Sequence, residues 1–240
     1  MKRKTHMLAT DLDGTLVGDQ EALRELLLYY DELHYDVAFV YVTGRHLASA
    51  LSLIEAEKLP QPDILVTDVG TAIYRDAQLA EEEEWKQQMQ SGWQPEKIIE
   101  MASAFPALHR QSLPDNRRIS FTFSPNDGTV HDFEKVLVKA HIPHKMIISS
   151  NRDVDVLPEK SGKGNALNYV IERYAPEDVQ VLVAGDSGND LDMLSLGYPA
   201  VIVGNAQPEL TAIEPHPYLY RAQKNCAEGI HEAWLHFYGS

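Results

Sequence analysis

Apolar residues follow two rhythms along this chain. Residues 19–33 carry Leu23, Leu26, Leu27 and Tyr30 at i, i+3, i+4, i+7 spacing behind Asp19, a residue suited to capping, and so predict an amphipathic helix. Val37–Val42 (VAFVYV) is instead an almost unbroken β-favouring run, the pattern of a strand buried on both faces. A second helical pattern (Leu47, Leu51, Ile54) ends before Pro60 and Pro62, and residues 64–66 begin a further short strand. The same order returns late in the chain. Leu167, Val170, Ile171 and Tyr174 form a helical stripe, 179–184 and 200–203 read as buried strands, and Ile230, Trp234 and Phe237 mark a last helix. Strand and helix in alternation predict an α/β fold, a parallel sheet covered by helices on both faces.

Between these halves the texture changes. From about residue 78 to 158 there are helical stretches near 95–105 and 129–141, and strand-like pieces at 119–123, Lys145–Ser149 and 154–157. That pattern suits a small α+β unit inserted into the parallel-sheet domain, giving three expected segments: 1–77, 78–158 and 159–240. The acidic run Glu81, Glu82, Glu83, Glu84 is expected to be a solvated helix face.

Charge narrows the partners. Among 240 residues, 36 acids outnumber 21 Lys and Arg for a formal charge of -15, a surface that repels nucleic acid phosphates and anionic lipid headgroups. Neither nucleic acid nor a membrane is an expected partner, and without a spanning or signal-like apolar stretch the expected location is the cytoplasm. Local positive charge must still be supplied wherever an anionic substrate binds. The single cysteine, Cys226, allows no internal disulfide and is expected to be a packing residue.

Candidate chemistry sits where strands end. "DLDGTL" places Asp11 and Asp13 one residue apart as an apolar run gives way to Gly14, and in extended backbone residues i and i+2 share a direction. Strand ends are where open α/β sheets bind ligands. Two solvated acids in an Asx-type turn would be the bland alternative. It weakens on reading "VLVAGDSGND", where a second buried strand ends in Asp186 and leads to Asn189 and Asp190. Carboxylates without His or Cys are hard oxygen donors suited to Mg²⁺; a Ca²⁺ loop of the EF-hand kind would need further ligands and a closing Glu that are missing. A phosphate bound there needs neutral or positive donors. "VTGR" offers the Thr43 hydroxyl, the Gly44 amide and Arg45, and "SGKGNA" places Lys163 at an expected helix start. Taken singly, Thr43 as a helix cap and Lys163 as a surface lysine are the competing readings.

Together these residues resemble the haloacid dehalogenase superfamily of phosphohydrolases. Asp11, Asp13, Gly14, Thr15 and Leu16 match its first motif, Thr43 the second, Lys163 the third, and Gly185, Asp186, Asn189 and Asp190 the fourth, in that order. The resemblance implies a Rossmann-like core, a type C2 cap for the middle region, and Mg²⁺-dependent catalysis through an aspartyl-phosphate. It implies Asp11 as nucleophile and Asp13 as acid and then base. Mg²⁺ would be held by the Asp11 carboxylate, the Asp13 backbone carbonyl and Asp186, with Asp190 in support. Thr43 and Lys163 would hold the phosphoryl oxygens.

Within the superfamily, "LVGDQEAL", "SSNRDVDVLPEKSGKGNA" and "VIVGNAQPEL" resemble the sucrose-phosphate phosphatase group, which includes mannosylfructose-phosphate phosphatases. This resemblance implies hydrolysis of sucrose 6-phosphate by an enzyme expected as a monomer, with association with a sucrose-phosphate synthase left open. Mannosylfructose phosphate and trehalose 6-phosphate are the rival substrates; a non-catalytic sugar-phosphate sensor or synthase accessory subunit is the rival of another class. Sugar contacts are expected from Asn151, Arg152 and Asp153 in a turn between cap strands, and from Asn205 and Gln207 beyond a core strand; Thr43, Gly44, Arg45, Lys163 and Asn189 are the other expected substrate-binding residues. A hairpin turn and a helix start are the competing readings of Asn151–Asp153 and of Asn205. Trp85 and Trp93 are expected to pack rather than stack on a sugar.

Overall fold

The computed structural model describes residues 4–76, 78–124 and 128–239. Its first sheet has eight strands in the order β12-β11-β10-β1-β2-β3-β4-β5. They are β1 (His6–Thr10), β2 (Val37–Val42), β3 (Ile64–Thr67), β4 (Ala72–Arg75), β5 (Ala80–Glu81), β10 (Gln180–Gly185), β11 (Ala200–Ile202) and β12 (Leu219–Arg221). All neighbours pair in parallel except β3 with β4 and β4 with β5. The near-continuous apolar strands are explained by burial on both faces. Leu8, Tyr41, Leu182 and Ala184 point into one core and Met7, Ala9, Val40, Val42, Val181 and Val183 into the other. Helices α1 (Gln20–Glu32), α2 (Leu47–Ala56) and α8 (Cys226–Tyr238) cover the first face, and α3 (Glu83–Gln90), α6 (Lys163–Tyr174) and α7 (Leu191–Leu194) the second.

Asp19 caps α1 as its sequence promised, its side chain accepting from Glu21 N and Ala22 N. No described helix is long and apolar enough to cross a membrane.

A second, antiparallel sheet has the order β6-β7-β9-β8, from β6 (His109–Arg110), β7 (Ile119–Thr122), β8 (Lys145–Ser149) and β9 (Asp153–Leu157). Helices α4 (Pro95–Ala102) and α5 (Thr129–Lys139) pack on it around Ile98, Phe121, Phe133, Leu137 and Val154, a core of its own. Residue 77, the expected end of the first segment, lies outside the described residues. Beyond it, β5 and α3 remain with the first sheet, since Trp85 and Met89 pack on the face that α6 covers. Trp93 packs against the second core.

The acidic run departs from expectation. Glu82 is 5% exposed, because α3 begins only at Glu83 and the residue before it turns inward. Its carboxylate accepts from the Tyr169 hydroxyl (3.1 Å) and the Tyr174 hydroxyl (2.5 Å) and pairs with Arg75 Nε at 2.6 Å.

Candidate active site

The sheet order places β1 between β2 and β10, so chain crossovers leave it in opposite directions and open a crevice at the strand ends. Thr10 pairs with both Tyr41 and Ala184, and Asp11 N donates to Ala184 O at 3.0 Å. The exits of the three central strands therefore lie level. Asp11, Thr43 and Asp186 follow those exits and are all buried. Lys163, the first residue of α6, points into the same place with no exposed surface.

Lys163 Nζ lies 2.5 Å from Asp11 Oδ1 and 2.6 Å from Asp190 Oδ1. The other oxygen of Asp190 accepts from Asp186 N and Ser187 N, each at 3.0 Å, which ties the fourth motif into a compact turn. Asp186 Oδ1 takes the Thr15 hydroxyl at 2.8 Å. Gly14 stands at φ +79°, and a Cβ there would come 2.8 Å from Asp186 Oδ2, so only glycine lets the two loops close on each other.

Three carboxylates thus face one ammonium. Burial pushes Asp11 above the ordinary carboxylate range against the pull of Lys163, and the Asp190 and Asp186 charges add to the rise. Burial, with the Asp190 charge, lifts Asp186 to about 6. Burial opposes the Lys163 charge, but Asp11 and Asp190 outweigh it and raise the lysine. One ligand oxygen from each of Asp11, Asp186 and Asp190 falls within 4.8 Å of the others. A buried, all-oxygen donor set short of positive charge fits a hard divalent cation.

Asp13 is placed differently. Its side chain is 50% exposed, outside that cluster, and both oxygens are taken by Arg45, from Nε at 2.6 Å and Nη2 at 2.7 Å. Thr43 Oγ1 accepts from Arg45 N at 3.1 Å, and Gly44 faces Asn189, whose Nδ2 would lie 3.7 Å from a Cβ at that glycine. The phosphate-side candidates Thr43, Gly44, Arg45, Lys163 and Asn189 therefore converge on one crevice.

The candidate sugar contacts divide. Ser150 and Asn151, both in left-handed backbone, turn the chain from β8 to β9 at the rim. Glu209 Oε1 accepts from Ser150 N (2.9 Å) and Gly188 N (3.1 Å), clasping this turn to the acid-bearing loop. Arg152 is exposed, and Asp153 takes Gln111 Nε2 at 3.0 Å. Asn205 donates to Gly14 O (2.7 Å) and accepts from Cys226 N (2.8 Å), which engages its amide in holding the first motif. Cys226 packs beside it, buried. Sequence reasoning did not single out Arg118 or Glu209, which join the second sheet to the crevice. Arg118 lies in no motif, and Glu209, although it falls in the stretch VIVGNAQPEL, finds its partners 59 and 21 residues away.

Solved structures place this architecture in a class. Over 98% of both chains it matches, with TM-score 0.91 and 36% identity, the sucrose-phosphatase of Synechocystis sp. PCC6803, solved in complex with sucrose and phosphate. The fold is that of haloacid dehalogenase phosphatases, and the chain is a phosphatase of that class. More narrowly, residues 4–238 match the model of the sucrose-6F-phosphate phosphohydrolase family, and the chain belongs to it. It is 30% identical to the mannosylfructose-phosphate phosphatase of Agrobacterium fabrum over 96% of each chain. It is 33% identical to the glucosylglycerol-phosphate synthase of Pseudomonas anguilliseptica, over 96% of this chain but 30% of that protein. Of the plant sucrose-phosphatases it matches, one from Arabidopsis thaliana among them, it spans about 59% of the length.

Proposed function

We propose that this chain hydrolyses sucrose 6-phosphate to sucrose and inorganic phosphate in a Mg²⁺-dependent reaction through an aspartyl-phosphate. The observation that carries the proposal is Lys163, fully buried and held between Asp11 and Asp190 at the ends of the central strands. A lysine so placed is already charged and oriented for phosphoryl oxygens, with Thr43 at the exit of the adjoining strand β2.

Asp11, Asp186 and the Asp13 backbone carbonyl would hold Mg²⁺, with Asp190 fixing the loop behind them. When bound, the cation would supply positive charge between a carboxylate and a phosphate. Asp11 attacks phosphorus; its new O–P bond forms as the bond to the sugar oxygen breaks. Asp13 gives a proton to that departing oxygen, then takes one from the water that attacks the acyl phosphate and restores Asp11. For this, Arg45 must release at least one Asp13 oxygen, since both are held here. The unit inserted within residues 78–158 serves as the cap, and its 150–153 turn, clasped to the crevice by Glu209, contributes sugar contacts.

The family match and the likeness to the Synechocystis enzyme support sucrose 6-phosphate. Mannosylfructose phosphate is the second reading, supported by the Agrobacterium relative that matches over 96% of its length. The test is phosphate release with and without Mg²⁺ across sucrose 6-phosphate, mannosylfructose phosphate, trehalose 6-phosphate, glucose 6-phosphate and fructose 6-phosphate. A Mg²⁺-dependent preference for the first is expected. Preference for another ester reassigns the cap and keeps the chemistry; release without Mg²⁺ overturns the metal assignment.

A further inference from the structure

Three consecutive carbonyls in the loop after β2 are each held by a donor from elsewhere. Thr43 O accepts from Val69 N (3.2 Å) and Arg45 O from Asp68 N (2.8 Å), both in the turn after β3. Gly44 O, between them, accepts from Arg118 Nη2 at 2.8 Å. A planar peptide turns as a unit, so fixing Gly44 O also fixes Arg45 N, which donates to the Thr43 hydroxyl. Arg118 is therefore fastened to the peptide that orients Thr43.

Arg118 belongs to the other sheet. It precedes β7, and its side chain is 9% exposed. Nη1 donates to Ser120 Oγ at 2.7 Å and to Asp155 Oδ1 at 2.5 Å, while Nε reaches Asp68 Oδ1 at 3.4 Å. Ser120 and Asp155 are register partners on β7 and β9, and the Ser120 hydroxyl also donates to Asp155. Two strands of the inserted unit thus aim the guanidinium, and two groups of the parallel-sheet unit receive it. The receiving turn is strained: Asp68 and Val69 are buried at φ +53° and +57°, a region costly for a β-branched residue. Burying a guanidinium with two carboxylates gives little net adhesion compared with apolar packing of the same volume. The planar fork does what apolar packing cannot: it grips a carbonyl on one side and a carboxylate on the other in fixed geometry.

We propose that Arg118 is a positioning residue for phosphoryl transfer: aimed by Ser120 and Asp155, it fixes the Gly44–Arg45 peptide, and through it Thr43, so that the phosphate loop is complete only when the inserted unit is seated on the sheet. The proposal rests on the reading of residues 43–45 as the phosphate loop. Arg118 acts without touching the substrate, and it makes affinity for the phosphoryl group depend on a side chain from the unit that contacts the sugar.

The test compares Arg118→Met and Arg118→Lys in the full chain. The readouts are kcat and KM on whichever ester the parent hydrolyses best, affinity for inorganic phosphate with Mg²⁺ by calorimetry, and the melting temperature. Arg118→Met is expected to lose at least about tenfold in kcat together with phosphate affinity at temperatures well below its melting point. Arg118→Lys, whose ammonium can still reach Gly44 O, is expected to recover part of both. Unchanged kcat and phosphate affinity in the methionine variant, with only a lower melting temperature, would overturn the proposal. So would a lysine variant no better than methionine. Should Arg118→Met fail to fold, Ser120→Ala, which removes one aiming group, is expected to lower kcat and phosphate affinity by about two- to fivefold, and no change in either would overturn it. A parent that binds inorganic phosphate but hydrolyses none of the esters sinks the proposed substrate alone, and the affinity comparison still decides the role of Arg118.

Discussion

Two clusters of buried acid lie on this sheet, and they are built on opposite principles. Around Lys163, three carboxylates cluster and only Asp11 and Asp190 pair with its ammonium; burial raises Asp11 and Asp186 above the ordinary range. Around Glu82, one carboxylate receives two tyrosine hydroxyls and the Arg75 guanidinium. There the burial penalty on the charge is outweighed, first by Tyr174 and Tyr169 and then by Arg75 and Arg173, and Glu82 is held below the ordinary range. One cluster is short of positive charge and the other is satisfied from within the chain. Undercompensated charge at a crevice marks a place prepared for something to bind, whereas a satisfied acid marks a joint.

The contrast breaks most sharply at Asp11. Asp11→Asn should lower phosphate release by at least about a thousandfold, the scale of losing a nucleophile. Its melting temperature in metal-free buffer should not fall, because Lys163 keeps Asp190 and one crowded charge is gone. Phosphate assay and calorimetry on the same sample check both halves. Substantial turnover, or a large drop in melting temperature, would dissolve the difference between the clusters.

Lys163→Met attacks the same cluster from its positive side. Asp11 and Asp190 lose their shared counterion while buried, a change worth about 3–5 kcal/mol, or roughly 6–20 °C in melting temperature for a chain of this size. Thermal melting at neutral pH without metal reads it directly. A variant as stable as the parent would mean that the acids had never depended on the lysine.

How much of this was legible beforehand follows from the range of the interactions. The active-site cluster is local in kind: i and i+2 on a strand, glycine at a turn, lysine at a helix start, each readable from a few residues. The resemblance to a known superfamily supplied their roles. Helix α1 and strand β2 follow from periodicity for the same reason. The Glu82 joint was hidden because the tyrosines that satisfy it lie 87 and 92 residues away on α6. Arg118 was hidden by its neighbour. In Arg117–Arg118 the first side chain is 27% exposed and pairs with Glu81 and Asp115, while the second is buried, and only the register of β7 decides which is which.

Cation binding offers a gentler test of the deficit. At about a hundredfold excess over its dissociation constant, Mg²⁺ should stabilise the parent by about 2.7 kcal/mol, roughly 5–11 °C. Asp186→Asn should lose most of that shift, whereas Glu82→Gln should keep it. Melting curves over a Mg²⁺ series settle the matter, and a shift equal in all three proteins would mean that the cation binds elsewhere.

The smallest effect is expected at Glu82, and its sign follows from linkage. A carboxylate held lower in the folded chain than in the unfolded one adds stability that is fully present above its unfolded value, near 4.5, and is lost as pH falls through the folded one. Glu82→Gln keeps the shape and removes the charge. It should lower the melting temperature at pH 7 by a few degrees, about 2–4 °C per kcal/mol of lost charge-assisted hydrogen bonding, with turnover unchanged. The gap between parent and variant should stay constant down to about pH 5.5 and close below the ordinary carboxylate value. Because only the difference between the two proteins is read, titration of the acids around Lys163 cancels. A gap that widened toward acid would show that Glu82 is carried protonated, and the two clusters would then be alike.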